Sequence, residues 1–367
     1  MREIAWKAEP SERELLLLFG LSAVLFAATT VALHGNYLSY GDNGAYVEVA
    51  AAIRHWDFGA LTDIQHFMGY PYAVAALSLG MHIPVPTSLL VVSIVASLAC
   101  VLLAARLYGT WVAGYFAVAN FAWLQASFFG GSEPLAVALA LAAFWSFRRE
   151  KAFLAALLGS LATVVRPLMI CTLLGIGLVL LYRRRYREFL GSLGIGLAIG
   201  FLYVLPLAHY FGDPLLTTHS YTSRDYGAAA IAGPHGHLFS WPFYAIIAGT
   251  LAYPSPWSNL ILSFFWIALV LVGIGALFAR DLRDYVIANP AEVIFCGLYL
   301  FMIFCYGYLI WARSNFMRFS IPALPILLYA LLRWLPKDRR VLWGLGIVAP
   351  VLAGCSIIGI HNLGLLR

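Results

Sequence analysis

Apolar residues fill long stretches of this chain, and polar residues collect in the gaps. The apolar runs cover residues 15–34, 87–105, 109–128, 133–147, 152–165, 167–182, 189–210, 257–279, 291–311, 318–334 and 341–360. A hydrocarbon core about 30 Å thick takes about 20 apolar residues per helical crossing. The pattern predicts an all-α, polytopic membrane protein of about 11 transmembrane helices, with residues 1–367 forming a single integral-membrane domain. The runs 152–165 and 167–182 are each shorter than a full crossing and meet at Arg166-Pro167. Broken backbone at membrane depth is tolerated where it lines a cavity or packs in protein. Arg166 is therefore expected at the floor of a polar cavity.

A further run, Tyr70 to His82, is short and punctuated by Pro71, Gly80, Pro84 and Pro86. Its placement follows from charge parity. The basic clusters are Arg148-Arg149 with Lys151, Arg183-Arg184-Arg185 with Arg187, Arg280 with Arg283, and Lys337 with Arg339-Arg340. The positive-inside rule puts all of them, with the polar head Met1 to Glu14, on the cytoplasmic side. This works only if Tyr70 to His82 lies along the interface instead of crossing. Of 23 Lys and Arg, 17 then fall inside, and all nine histidines fall outside. Two outer segments are long, residues 35–86 and 211–256. Function on the aqueous side has these two places to live.

Composition agrees: 62% of residues are hydrophobic, 11% are charged, and mean hydropathy is +0.84. A soluble domain would carry about 25% charged residues. The net charge of +6 sits in clusters that flank apolar runs, which gives no case for nucleic acid as a partner. The five cysteines lie in apolar runs without metal or disulfide spacing and read as packing residues.

Few residues could carry chemistry. Asp42 stands in Gly41-Asp42-Asn43-Gly44, just before a stretch with apolar residues at helical spacing: Tyr46, Val49, Ala50, Ile53 and Trp56. On spacing alone the simpler role for Asp42 is to cap that interfacial helix. Glu133 opens an apolar run in Gly130-Gly-Ser-Glu-Pro134, which reads either as a helix start or as a second carboxylate facing the same cavity. Arg166, Arg313 and Arg318 are the arginines nearest the outer membrane surface, and three guanidiniums around one cavity suit a phosphate or pyrophosphate. For Arg313 and Arg318 singly, snorkelling to lipid headgroups is the competing role. His66 could position an acceptor or phosphate, or simply pack at the interface. The group His219, Arg224, His235, His237 has no metal spacing.

The order of several of these features resembles the GT-C superfamily of integral-membrane glycosyltransferases, among them protein mannosyltransferases and aminoarabinose transferases. The features are Gly41-Asp42 with Tyr46 and Ala50, Gly69-Tyr70-Pro71-Tyr72, Ser132-Glu133-Pro134-Leu135, Arg166-Pro167, and Arg318-Phe-Ser-Ile-Pro322-Ala-Leu-Pro325. The resemblance runs over most of the chain. It implies interfacial helices in the first outer loop, a polyprenyl-phosphate-linked sugar as donor and a hydroxyl acceptor. It also implies a site on the outer face of a bacterial plasma membrane more readily than of the endoplasmic reticulum, with the N-terminus cytoplasmic. Asp42 would be the general base, Glu133 its companion, and Arg166, Arg313, Arg318, His66, Tyr46 and Tyr70 would bind substrate. Where the family usually carries Asp-Asp or Asp-Glu, this chain has Asp42-Asn43. No metal ligand is assigned, and a divalent cation stays an open cofactor. Two competitors are a transporter or flippase for an anionic lipid or solute, and an O-antigen ligase or polymerase. The first is disfavoured by the near absence of charge on the inner half of the runs, the second by acids concentrated in the first outer loop.

Overall fold

A chain whose solvent is lipid must satisfy its backbone groups internally, and helices do so segment by segment. The computed structural model is all-α and describes residues 8–61, 66–223, 239–252, 257–307 and 315–362. Among the described residues, four helices are long and apolar enough to cross a bilayer: Glu12–Ala32, Val85–Tyr108, Tyr186–Phe211 and Arg339–Ile357. Two bent pairs, Phe121–Phe128 with Glu133–Arg148 and Ser263–Leu277 with Arg280–Ala288, raise the number to six if each pair is one crossing. Several long apolar helices mark an integral membrane protein.

The expected number of about 11 crossings is corrected: the described residues carry four, or up to six. The reason is that an unbroken apolar run need not be an unbroken helix. The run 109–128 divides at Asn120, whose buried side chain accepts the Trp123 N–H at 2.9 Å and so starts a new helix. The helix it starts then meets Glu133–Arg148 at a 101° bend. Four other apolar stretches fold as Ala152–Val165, Pro167–Tyr182, Pro290–Phe304 and Phe316–Leu331, each of 10–17 residues. At ~1.5 Å per residue these fall short of the hydrocarbon thickness.

The Tyr186–Phe211 helix shows what solvent the outside expects. Leu190, Leu197, Phe201 and Leu202 are all exposed, and only 6% of its apolar window is buried. A helix apolar on every side and unburied in protein belongs in lipid. Its 26 residues span about 39 Å, with exposed tyrosines, Tyr186 and Tyr210, near its two ends.

Between residues 35 and 86 the described residues include the α-helices Asn43–His55 and Gly69–Met81, which pack on each other. The second has 13 residues, too few for a crossing. Its first residue touches the backbone of the Ala152–Val165 helix so closely that a Cβ on Gly69 would sit 2.4 Å from the Val164 carbonyl oxygen. Between 211 and 256 the described residues form the helices Leu216–Ser223 and Tyr244–Ala252.

The helix Glu133–Arg148 is largely buried, packed against Val85–Tyr108 and Ala152–Val165. Its interior is apolar and its two ends are charged. At the far end Arg148 donates to both oxygens of Glu292, at 2.6 and 2.9 Å, and to the Leu107 carbonyl at 3.0 Å. Tyr285 donates to the same carboxylate at 2.8 Å. A cavity of about 290 Å³ opens beside this group, lined in part by Phe147, Arg183, Asn289 and Pro290. Glu292 is buried, so its charge is tolerable only while paired. Arg148→Ala should lower unfolding stability in detergent by about 3–5 kcal/mol. Pairing it with Glu292→Leu should recover much of that loss, and equal loss in single and double variants would count against a buried charge as the cause.

Candidate active site

The opposite end of the Glu133–Arg148 helix gathers most of the residues expected from the sequence. Pro134 at its start needs no N–H partner, so the chain can turn sharply into the helix. Gly130 precedes it at φ +100, where a Cβ would lie 2.3 Å from Leu89 and 2.9 Å from the Asn43 amide. The turn thus presses Ser132 and Glu133 against the segment 35–86. Glu133 is fully buried.

Its Oε1 accepts from two arginines. Arg166 donates through Nη1 at 2.5 Å, and Arg318 donates through Nε in a closer bond. Arg166 ends the Ala152–Val165 helix in extended conformation, φ −142, ψ 119, as expected before Pro167. Arg318 lies on the short helical turn Phe316–Phe319, anchored by the fully buried Phe316 and by Tyr299, which donates to the Phe319 carbonyl at 3.0 Å. Ser132 Oγ accepts from Arg166 at 3.2 Å and lies 3.1 Å from the Tyr46 hydroxyl. Glu133 Oε2 has no hydrogen-bond partner among the described residues.

Asp42 occupies the N-cap position of Asn43–His55, and its carbonyl accepts the Tyr46 N–H at 3.0 Å. Its side chain makes no capping hydrogen bond. The carboxylate turns the other way. Arg318 Nη2 donates to Oδ2 at 3.3 Å, and His66 Nε2 stands 3.6 Å from Oδ1. The capping role favoured on spacing alone is therefore not the one the side chain plays. Gly41, at φ +51, makes the turn that allows it.

Burial lowers the pKa of His66. The Asp42 charge opposes that, and Arg318 and Arg166 reinforce it. The imidazole therefore stays neutral at pH 7. Burial also raises the Tyr46 phenol, and the negative charges of Asp42 and Glu133 push it further up. Tyr46 is a hydrogen-bonding group here and not a base. The cluster holds two carboxylates and two guanidiniums, so it is formally neutral while His66 is neutral.

The structure brings Asp42, Glu133, Arg166, Arg318, His66 and Tyr46 together. Tyr70 stands one layer back. Its ring packs 5.0 Å from that of Tyr46, it is fully buried, and its hydroxyl lies 2.6 Å from Ser93 Oγ and donates to the Leu89 carbonyl at 3.0 Å. It frames the cluster instead of facing a substrate. Arg313, with Arg224, His235 and His237, lies outside the described residues. Two contributors escaped the sequence reading. Asn43 is buried and donates to the Tyr37 and Phe129 carbonyls at 2.8 and 2.9 Å, stitching the segment 35–86 to the turn before Glu133. Ser132 links Tyr46 to Arg166. The signal for both was their adjacency to a candidate carboxylate. Among the described residues, no group of three or more His, Cys, Asp or Glu could hold a metal ion.

No protein-family model matches the chain, and no curated protein matches it significantly in sequence.

Glu133 balances two guanidiniums that are each at least four-fifths covered. Glu133→Gln removes that charge and keeps the shape. It should lower unfolding stability in detergent by about 3 kcal/mol. An unchanged thermal midpoint would show that the arginines find other counter-ions.

Proposed function

We propose that the protein is an inverting membrane glycosyltransferase that moves a sugar from a polyprenyl-phosphate carrier to a hydroxyl acceptor. The observation that carries this reading is the orientation of Asp42. A carboxylate at a helix N-cap position makes no capping bond and is held, by contacts of 3.3 and 3.6 Å, beside the Arg318 guanidinium and a neutral histidine, with Arg166 joined to Arg318 through Glu133. An acceptor hydroxyl needs such a carboxylate, and a departing phosphate needs such guanidiniums.

In the transfer, the acceptor oxygen attacks the anomeric carbon from the face opposite the phosphate. Its O–H bond breaks and the proton passes to Asp42. The bond from the anomeric carbon to the phosphate oxygen breaks, and its electron pair leaves with the phosphate. Arg166 and Arg318 stabilise the charge that develops there. Glu133 does not touch the reacting atoms in this scheme; it holds the two arginines. A donor with a long hydrocarbon tail also gives a reason for a transferase to be largely membrane, since the tail approaches through lipid.

The same reading places the cluster on the non-cytoplasmic face. The Arg148–Lys151 and Arg183–Arg187 clusters belong to the other end of the helices that carry Glu133 and Arg166, and the positive-inside rule makes that end cytoplasmic. A transporter reading gains less support. Between Glu133 and Arg148 the helix carries Ser146 as its only polar residue, one turn from the charged end, so it offers no polar path from one cluster to the other.

A panel of labelled polyprenyl-phosphate sugars, with membrane glycolipid or glycoprotein acceptors, tests the activity. Asp42→Asn should lose on the order of 10²–10⁴ in rate while the protein stays folded. Near-normal transfer by that variant would remove Asp42 as the base. Arg166→Ala should weaken donor binding by about 1.5–3 kcal/mol, against little change in Arg224→Ala. A Cys introduced at Arg106 should resist impermeant thiol labelling from outside intact cells; ready labelling would overturn the orientation.

A further inference from the structure

The members of the cluster are held unequally. Glu133 is buried and closely bonded to both guanidiniums, whereas Asp42 is one-third exposed and its contacts are 3.3 and 3.6 Å. Arg318 is bonded to both carboxylates through different nitrogens, Nε to Glu133 and Nη2 to Asp42. A guanidinium is a rigid planar fork, so anchoring Nε on a buried oxygen fixes where its Nη atoms point. Anchored this way, the Nη edge reaches the most exposed acid of the group. A phosphate oxygen fits such an edge at least as well as a carboxylate does.

We propose that Arg318 is a shared residue: its Nη edge pairs with Asp42 in the free protein and passes to the donor's phosphate when the donor binds, so that Asp42 becomes a competent base only in the donor complex. The inference rests on the phosphate-donor reading above and adds an order of events to it. Glu133 is the positioning residue, because it keeps Arg318 at one place through the exchange. An acceptor arriving first meets a carboxylate whose charge is already engaged by a cation. Once the phosphate has taken the Nη edge, the same carboxylate faces His66, which burial keeps neutral. Among the described residues, the other groups around Asp42 are the Tyr40 and Tyr46 phenols and the Glu133 carboxylate, which are not cations, while Arg166, the second cation of the cluster, is bonded to Glu133 and Ser132.

A thiol at position 42 reads this exchange without any transfer reaction. In Asp42→Cys, with the exposed Cys355 changed to Ser, the pH midpoint of alkylation reports the cation beside the thiolate. Without ligand the midpoint should be depressed by Arg318. Saturating farnesyl phosphate should raise it by about 1 pH unit or more. In an added Arg318→Gln background it should be high from the start and indifferent to farnesyl phosphate. Inorganic phosphate at equal concentration separates recognition of the head group alone from recognition that needs the isoprenoid tail.

An unchanged midpoint, at a concentration where farnesyl phosphate binds saturably, overturns the exchange and leaves the phosphate reading standing. No saturable binding of farnesyl phosphate overturns both. If Asp42→Cys does not fold, carbodiimide labelling of Asp42 in the unaltered protein reads the same event. Farnesyl phosphate should increase labelling several-fold at mildly acidic pH, and equal or lower labelling overturns the exchange.

Discussion

One buried carboxylate oxygen organises this end of the molecule. Glu133 could not stay ionised in so enclosed a place without compensation, since an unpaired charge in a low-dielectric interior costs several kcal/mol. Two guanidiniums supply the compensation. They come from segments 33 and 185 residues away, so satisfying Glu133 also decides how the Ala152–Val165 helix and the Phe316–Phe319 turn meet the Glu133–Arg148 helix. The arginines in turn carry the contacts to Ser132 and Asp42. The segment 35–86 is thus tied to the helical body through charge as well as through the apolar packing of Tyr46 and Tyr70.

The Glu133–Arg148 helix carries this logic to its other end. Lipid and packed protein exclude unpaired charge from its middle, which is built from Pro, Leu, Ala, Val, Phe, Trp and one Ser. Charge appears where it can be paired: Glu133 with Arg166 and Arg318 at one end, Arg148 with Glu292 at the other. Fifteen residues of helix separate the two groups, about 22 Å. The two ends differ in what they leave available. Arg148 spends its donors on Glu292 and the Leu107 carbonyl, and Glu292 takes Tyr285 as well. The Glu133 end keeps one carboxylate, that of Asp42, on long contacts. A group held loosely among groups held tightly is the natural place for chemistry, because a substrate can take over its contacts without dismantling the fold.

Much of the architecture was legible because its causes are local. Apolar runs bounded by Pro, Gly and basic clusters predict helices in lipid, and helices are what forms. Pro167 ends one helix and starts the next wherever the chain lies, so the break at Arg166 could be read directly. The helix after Asp42 follows from the spacing of Tyr46, Val49, Ala50 and Ile53, which are buried, whereas Trp56, the fifth apolar position of that pattern, is exposed at the helix's C-cap.

Other features depend on partners that no local pattern names. The number of crossings turned on where apolar runs break or fall short, and one such break is at Asn120, an ordinary polar residue in an apolar run until it caps a new helix. Local spacing favoured a capping role for Asp42, but the competing partners, Arg318 and His66, lie 276 and 24 residues further along the chain. Tyr70 looked available for a ligand and is spent on Ser93 and Leu89. The sequence by itself determined which segments are helical and that their surroundings are apolar, because propensity, proline geometry and hydropathy act over a few residues. The tertiary structure decided which charges neutralise one another, because that energy depends on distance in space and is indifferent to distance along the chain.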